Sequence, residues 1–175
     1  MTLPPASGGG GPQTAARRDR DTAGRPRNAR PRDELGRPLR RDAPGEPPPD
    51  DQPLLPDAAL DRAQQLLDSG RAFRAHEVLE ASWKAAPPAE RELWRGLAQI
   101  AVGLTHAQRG NARGAAALLR RGGQRVAAHA ASPPHRIEAA GIAGFAAGLA
   151  DLIERDGLAA ATPARLRVSL RTGTR

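Results

Sequence analysis

The stretch FRAHEVLEASW, residues 73–83, places ionisable side chains between aromatic ones at helical spacing. At about 100° per residue, His76 and Glu80 fall on the same stripe of a helix as Phe73 and Trp83. That stripe should face the protein core, where an ionisable group must be paired, hydrogen-bonded or bound to a metal. We therefore expect His76 and Glu80 to meet partners on a neighbouring helix.

A second polar stripe is predicted on the following helix. Gln99 follows Arg95 by four residues, about one helical turn, and His106 follows Gln99 by seven residues, about two turns. If the two helices pack through these stripes, Gln99 and His106 come to lie opposite His76 and Glu80. The sequence thus predicts a polar pocket between two helices. Its predicted residues are His76, Glu77, Glu80, Trp83, Arg95, Gln99 and His106.

Three interpretations of this cluster stay open. A divalent metal held by His76, Glu80 and His106, or with Glu77 as the carboxylate, would activate water in a hydrolase-like enzyme. Without a metal, a Glu–His pair would serve acid–base chemistry or bind a small ligand or protein partner. The same residues could instead form a buried network that sets the helix register. HEVLE is an HExxE pattern, with Glu80 at the place of the second histidine of the zinc-protease motif, and so does not predict a protease.

Composition limits the classes of protein. The 175 residues suffice for one modest domain with tails. No apolar run approaches the roughly 20 residues that span a bilayer, and the first residues lack the apolar segment of a secretory signal. The absence of cysteine excludes disulfides and thiolate metal ligands. We expect a soluble, cytoplasmic protein.

The formal charge of +8 does not predict a nucleic-acid-binding face. Residues 1–56 hold ten Arg against eight acids, and residues 57–164 hold thirteen basic residues against eleven acids. The remaining excess, four Arg without an acid, lies in the last eleven residues. Nucleic-acid binding needs clustered cations and stacking aromatics, and the domain has few of either. The low aromatic content is compatible with a homodimer.

Hydrophobic spacing divides the chain into three parts. Residues 1–56 are rich in Pro, Gly and Arg without periodicity and are predicted to be disordered or extended. Residues 57–157 form the helical domain, and residues 158–175 a basic tail. His129 and His135 flank a loop without a nearby carboxylate and are predicted to be solvated, and Trp94 is predicted at the core or its rim. The predicted helices span residues 57–68, 72–85, 89–108, 112–130 and 136–155.

An internal similarity recurs at a constant offset of forty residues. The matching pairs are Gly70 and Gly110, Ala75 and Ala115, and Leu79 and Leu119. Each pair falls where one helix ends at glycine and the next packs back, as in helical-hairpin repeats. The predicted fold is an all-α compact bundle of about five helices arranged as hairpins.

These residues together resemble a family of small bacterial and archaeal proteins, domain of unknown function 309. The resemblance covers most of residues 25–155 and includes the RPRNARPRDELGRPL segment. It implies an all-helical bundle with His76, Glu77 and Glu80 as a family feature, but no activity; Arg95 stands where glutamine is expected. The residues that carry it are Phe73, His76, Glu77, Glu80, Trp83, Gly96, Leu97, Gln99, Gly110, Asn111, Gly114 and Ala115.

Overall fold

The computed structural model describes residues 31–40, 42–44 and 53–173 of the chain. Most of the predicted extension, residues 1–56, therefore lies outside the described residues. Within the described ranges, no helix has the length and apolar character needed to cross a membrane.

Five α-helices and three short 3-10 turns make up the helical structure of the described residues. Each helix packs mainly against the next one along the chain, which gives a series of helical hairpins. The predicted all-α class is confirmed, and every helix end lies within one turn of its predicted position. The helices are α1 (Pro56–Asp68), α2 (Ala72–Ala85), α3 (Arg91–Gln108), α4 (Ala112–Ala127) and α5 (Ala139–Asp156).

The helices α1 and α3 end in the same way, forty residues apart. Gly70 and Gly110 adopt left-handed φ angles of +74° and +82°. The backbone N–H of Arg71 then donates to Leu66 at 2.8 Å, and that of Asn111 donates to His106 at 2.9 Å. Both ends are Schellman motifs, which favour glycine because an L side chain is strained at positive φ. The repeat seen in the sequence thus corresponds to two equivalent helix ends.

Close contact between α3 and α4 depends on glycine. A Cβ atom added at Gly122 would lie 2.7 Å from Ile100 Cγ1 and 2.8 Å from the carbonyl oxygen of Gly96. Gly122 and Gly123 follow each other within α4, and the helix runs through them without a break. The cost of glycine in a helix is offset here by the close packing that it permits.

The C-terminal residues, predicted as a tail, pack against α1. Val168 is 7% exposed and Leu170 is 3% exposed, and both belong to the hydrophobic core. The Gln64 side chain donates to the Val168 carbonyl at 3.0 Å and accepts from the Leu170 N–H at 2.8 Å. Arg171 also forms ion pairs with Asp57, at 3.3 Å, and with Asp61. These partners are about a hundred residues apart in sequence, so local spacing did not reveal them.

The turn before α5 holds His135 against a core residue. His135 Nε2 lies 2.9 Å from Glu90 Oε2, which also accepts from Trp94 Nε1 at 3.1 Å. Burial opposes ionisation of Glu90, but these two hydrogen bonds leave its pKa lowered. Trp94 is 1% exposed and is a core residue. The prediction of a solvated His135 was therefore wrong, because its carboxylate partner lies far away in sequence.

Candidate functional site

Three ionisable side chains of α2 line up one turn apart. His76 Nε2 lies 3.5 Å from Glu80 Oε2, and Lys84 Nζ lies 3.0 Å from Glu80 Oε1. The spacing of four residues places all three on one face of the helix. Glu80 thus joins a largely buried imidazole to an exposed ammonium group.

The surroundings of His76 favour its neutral form. Burial lowers the pKa of His76, and the positive charges of Lys84, Arg32 and Arg109 lower it further, whereas Glu80 only partly opposes them. Because Nε2 faces the Glu80 carboxylate, the neutral ring is best placed with its proton on Nε2. Nδ1 is then a hydrogen-bond acceptor. This atom is buried and has no hydrogen-bond partner among the described residues.

Glu77 lies beside this row and is paired with a buried arginine. Arg74 Nη1 donates to Glu77 Oε2 at 2.8 Å. Burial raises the pKa of Glu77, and the hydrogen bond from Arg74 offsets only part of that effect. Both residues of this ion pair lie on α2, and Glu77 also feels the charges of Arg32 and Glu80.

Two cation–aromatic contacts join α2 and α3. One connects the start of α2 with the end of α3, and the other connects the end of α2 with the start of α3. The Arg95 guanidinium lies 5.5 Å from the Trp83 ring centre, and that of Arg109 lies 5.6 Å from the Phe73 ring centre. The two helices therefore run antiparallel, and Gln99, one turn after Arg95, falls between the two contacts. We call this surface the α2–α3 face; it carries Phe73, His76, Glu80 and Trp83 on α2, and we define it to include Gln99 of α3, which lies in sequence between Arg95 and Arg109.

Gln99 presents a second unused acceptor. Its side-chain Oε1 is buried and has no hydrogen-bond partner among the described residues. A buried polar atom without a partner costs about 1–3 kcal/mol, so each such atom needs a physical explanation; Gln108 Oε1, in the last turn of α3, is another one among the described residues.

His106 does not join this face. Its Nδ1 accepts from Asn111 Nδ2 at 2.8 Å, and Asn111 in turn accepts from the Gly114 N–H at 2.9 Å to cap α4. The histidine thus lies at the junction of α3 and α4. Across the part of the chain that the structure describes, no three His, Asp or Glu side chains form a group that could hold a metal ion. The predicted set of His76, Glu80 and His106 is not assembled, because α3 directs His106 towards α4.

The site has a component that the sequence did not predict. Residues 31–40 fold back over the start of α2, where the Arg32 guanidinium lies 5.1 Å from the Phe73 ring centre. Arg109 donates to the Leu35 carbonyl from Nε at 2.8 Å and from Nη2 at 2.5 Å. The only local signal was the group of turn-forming residues in PRDELGRP, which gives no information on what the turn contacts.

Three clefts of about 390 to 440 Å³ lie elsewhere on the described surface. They adjoin the C-terminal segment, and none is lined by His76, Glu80 or Gln99. The α2–α3 face is thus a polar surface between two helices, distinct from these clefts.

The comparisons with known proteins agree with the family resemblance. Residues 60–118, from α1 to the middle of α4, match the family described as domain of unknown function (DUF309), and the predicted resemblance is confirmed over this segment. An uncharacterized protein of Bacillus subtilis (strain 168), YpuF, is 37% identical over 67 residues. That match covers 38% of this chain and 38% of the relative. No solved structure matches the chain.

Proposed function

We propose that the chain is a binding protein whose α2–α3 face takes a small ligand or a protein segment that donates hydrogen bonds. The observation that carries this proposal is the pair of buried, unpartnered acceptors, His76 Nδ1 and Gln99 Oε1. A partner that donates to either atom recovers a hydrogen bond that the described residues leave unmade.

The charges around the face narrow the chemistry of the ligand. His76 feels the negative charge of Glu80 and the positive charges of Lys84, Arg32 and Arg109. A strongly charged ligand would meet repulsion from one of these sets. Neutral donors, such as hydroxyl groups and amide N–H groups, fit both acceptors without that cost.

The substitution Gln99→Leu separates a binding role from a structural one. It keeps the side-chain size and removes the unpartnered Oε1, so we expect the free energy of unfolding to rise by about 1 kcal/mol. The matched control is Gln124→Leu on the exposed face of α4. We expect the control to change stability by less than about 0.5 kcal/mol, as measured by urea denaturation.

Binding is tested by thermal unfolding with a panel of neutral donors: sugars, polyols and N-acetylated amino-acid amides. A compound that binds the native state raises the melting temperature by mass action. We expect at least one compound to do so for the wild type and for Gln124→Leu, but not for Gln99→Leu or His76→Ala. The proposal fails if no compound shifts the wild type, or if Gln99→Leu destabilises the protein and leaves the shift intact.

A further inference from the structure

One of the three clefts combines an apolar wall with a positively charged border. It encloses about 440 Å³, within the range of sites for small molecules, and is lined by α5 and by the C-terminal segment. Its apolar residues Phe145, Leu149 and Leu152 follow each other along α5 at helical spacing. We call it the α5 cleft.

Two glycines leave room beside these apolar side chains. Gly144 and Gly148 also line the α5 cleft, and a Cβ atom added at either position would meet nothing within 4 Å. They differ in this respect from Gly122, where the neighbouring helix fills the space of the missing side chain. The cost of glycine in a helix is therefore not offset by packing among the described residues, and the space is open to a ligand.

The charges at the border of the α5 cleft have one sign. Three arginines line it and no acidic residue does. Arg155 Nη2 lies 2.8 Å from Oδ2 of the neighbouring Asp156, and Asp156 also feels the charge of Arg165. Arg165 Nη1 in addition donates to the Ala160 carbonyl at 3.3 Å. Two of the three arginines are thus already matched within the chain.

Arg167, the third arginine, has no hydrogen bond or ion pair among the described residues. Its side chain is exposed, so an anion can reach it. Asp68 lines the other two clefts together with Arg167, but its carboxylate accepts from the Gln64 amide at 2.9 Å instead. One unpaired guanidinium matches one carboxylate, because its planar N–H groups can donate to both carboxylate oxygens.

We propose that the α5 cleft binds a free monocarboxylate with a hydrocarbon chain, with the carboxylate on Arg167 and the chain along Phe145 and Leu152. Residues 144–152 span about 12 Å of helix, so an extended chain such as that of decanoate has a matching length. A single negative charge fits because only one arginine lacks a partner among the described residues. This inference goes beyond the proposed function, since no residue that lines the cleft belongs to the α2–α3 face.

The test titrates the full-length chain with decanoate, below the concentration at which it forms micelles, in a calorimeter. We expect the wild type to bind it and Arg167→Gln to bind it roughly tenfold more weakly, because the charge-assisted hydrogen bonds are lost. The matched control Arg113→Gln removes an exposed arginine of α4 that does not line the cleft, and it should bind decanoate as the wild type does.

A second pair of variants tests the apolar wall. Gly148→Leu fills the open space and should abolish binding, whereas Ala147→Leu adds the same side chain at an exposed position of α5 outside the cleft and should keep it. Circular dichroism checks that both variants keep their helices. Decanol, which lacks the charge, and acetate, which lacks the chain, should each bind more weakly than decanoate.

The inference is overturned if decanoate does not bind the wild type, or if Arg167→Gln or folded Gly148→Leu binds it as tightly. Equal affinity for decanol would overturn the role of Arg167. A wild-type dimer that Gly148→Leu converts to a monomer would also overturn the inference, because the occupant of the cleft would then be a second copy of this chain.

The two proposals fail independently. Arg167→Gln and Gly148→Leu lie outside the α2–α3 face, so they should leave the response to neutral donors unchanged. If decanoate binds the wild type but no neutral donor does, the proposed function is excluded and the α5 cleft stands. The reverse result excludes the α5 cleft alone.

Discussion

His76 is a histidine that its surroundings keep neutral, and this property has a consequence for pH dependence. The imidazole is largely buried, and protonation would add a positive charge next to Arg32, Arg109 and Lys84. Protonation of His76 therefore raises the free energy of the folded state relative to the unfolded state, in which the ring is exposed to water.

We predict that the protein loses stability as the pH falls below about 6.5, the ordinary pKa of histidine. The folded-state pKa of His76 is lowered, so the unfolded state binds the proton first and is favoured as the pH decreases towards the folded-state pKa. Above the ordinary pKa both states are neutral, and the full stability is present. Urea denaturation at pH 7.5 and at pH 5.5 measures the difference.

The variant His76→Gln should lack this part of the pH dependence, whereas His129→Gln, which removes an imidazole from the end of α4, should keep it. An equal loss of stability between the two pH values in wild type and His76→Gln would show that His76 is solvated in the folded protein.

The contacts of single residues were predictable only within one helix. The pairing of His76 with Glu80 follows from a spacing of four residues, which any helix converts into proximity. The partner of His106 depends on how α3 is rotated about its axis relative to α2 and α4, and the helical spacing alone does not predict that rotation. The position of Gly36 on Phe73 joins residues that no periodic pattern connects. The sequence thus identified the polar row of α2 but not the turn that covers Phe73 at the start of that helix.

At the scale of elements, the contact between α3 and α4 depends on backbone approach rather than on large side chains. The glycines of both helices lie against each other there, and a Cβ atom at Gly122 would meet backbone as well as Ile100. Backbone atoms cannot rotate away, so the helices themselves would have to separate.

We predict that Gly122→Ala lowers the free energy of unfolding by about 1–3 kcal/mol, the usual cost of overpacking. The matched control is Gly148→Ala in α5, where an added Cβ atom meets nothing within 4 Å. The control should raise stability by about 0.5–1 kcal/mol, because alanine is the better helix former. Thermal and urea unfolding of both variants measure the two effects. Changes of the same sign would contradict the close approach of α3 and α4.

The elements themselves were predictable because their signals are local. The ends at Gly70 and Gly110 follow from glycine after a helical pattern, and the start of α4 from the capping residue Asn111. The start of α5 was displaced from its predicted place because His135 and Arg136 take positive φ angles, at 56° each. That conformation is rare for these residues and accompanies the contact of His135 with Glu90, which local sequence does not reveal.

At the scale of the whole molecule, the last described residues complete the core. The side chain of Leu170 is buried, and its backbone N–H is held by Gln64. We predict that Leu170→Ala lowers the free energy of unfolding by about 2–5 kcal/mol, the range for a buried leucine. The exposed neighbour Ser169 provides the control, with an expected change below about 0.5 kcal/mol for Ser169→Ala. Equal stabilities of the two variants would show that residues 168–170 do not pack on α1.

The bond between Gln64 and Leu170 also sets an order of events during synthesis. The two residues are 106 positions apart, and ribosomes add roughly 5–20 residues per second. For roughly 5–20 seconds the nascent chain therefore carries α1 without the segment that finally covers it. During that interval the part of α1 that residues 168–170 finally cover is available to chaperones and to other unfinished chains, although α1 is the first of the described helices to be synthesised.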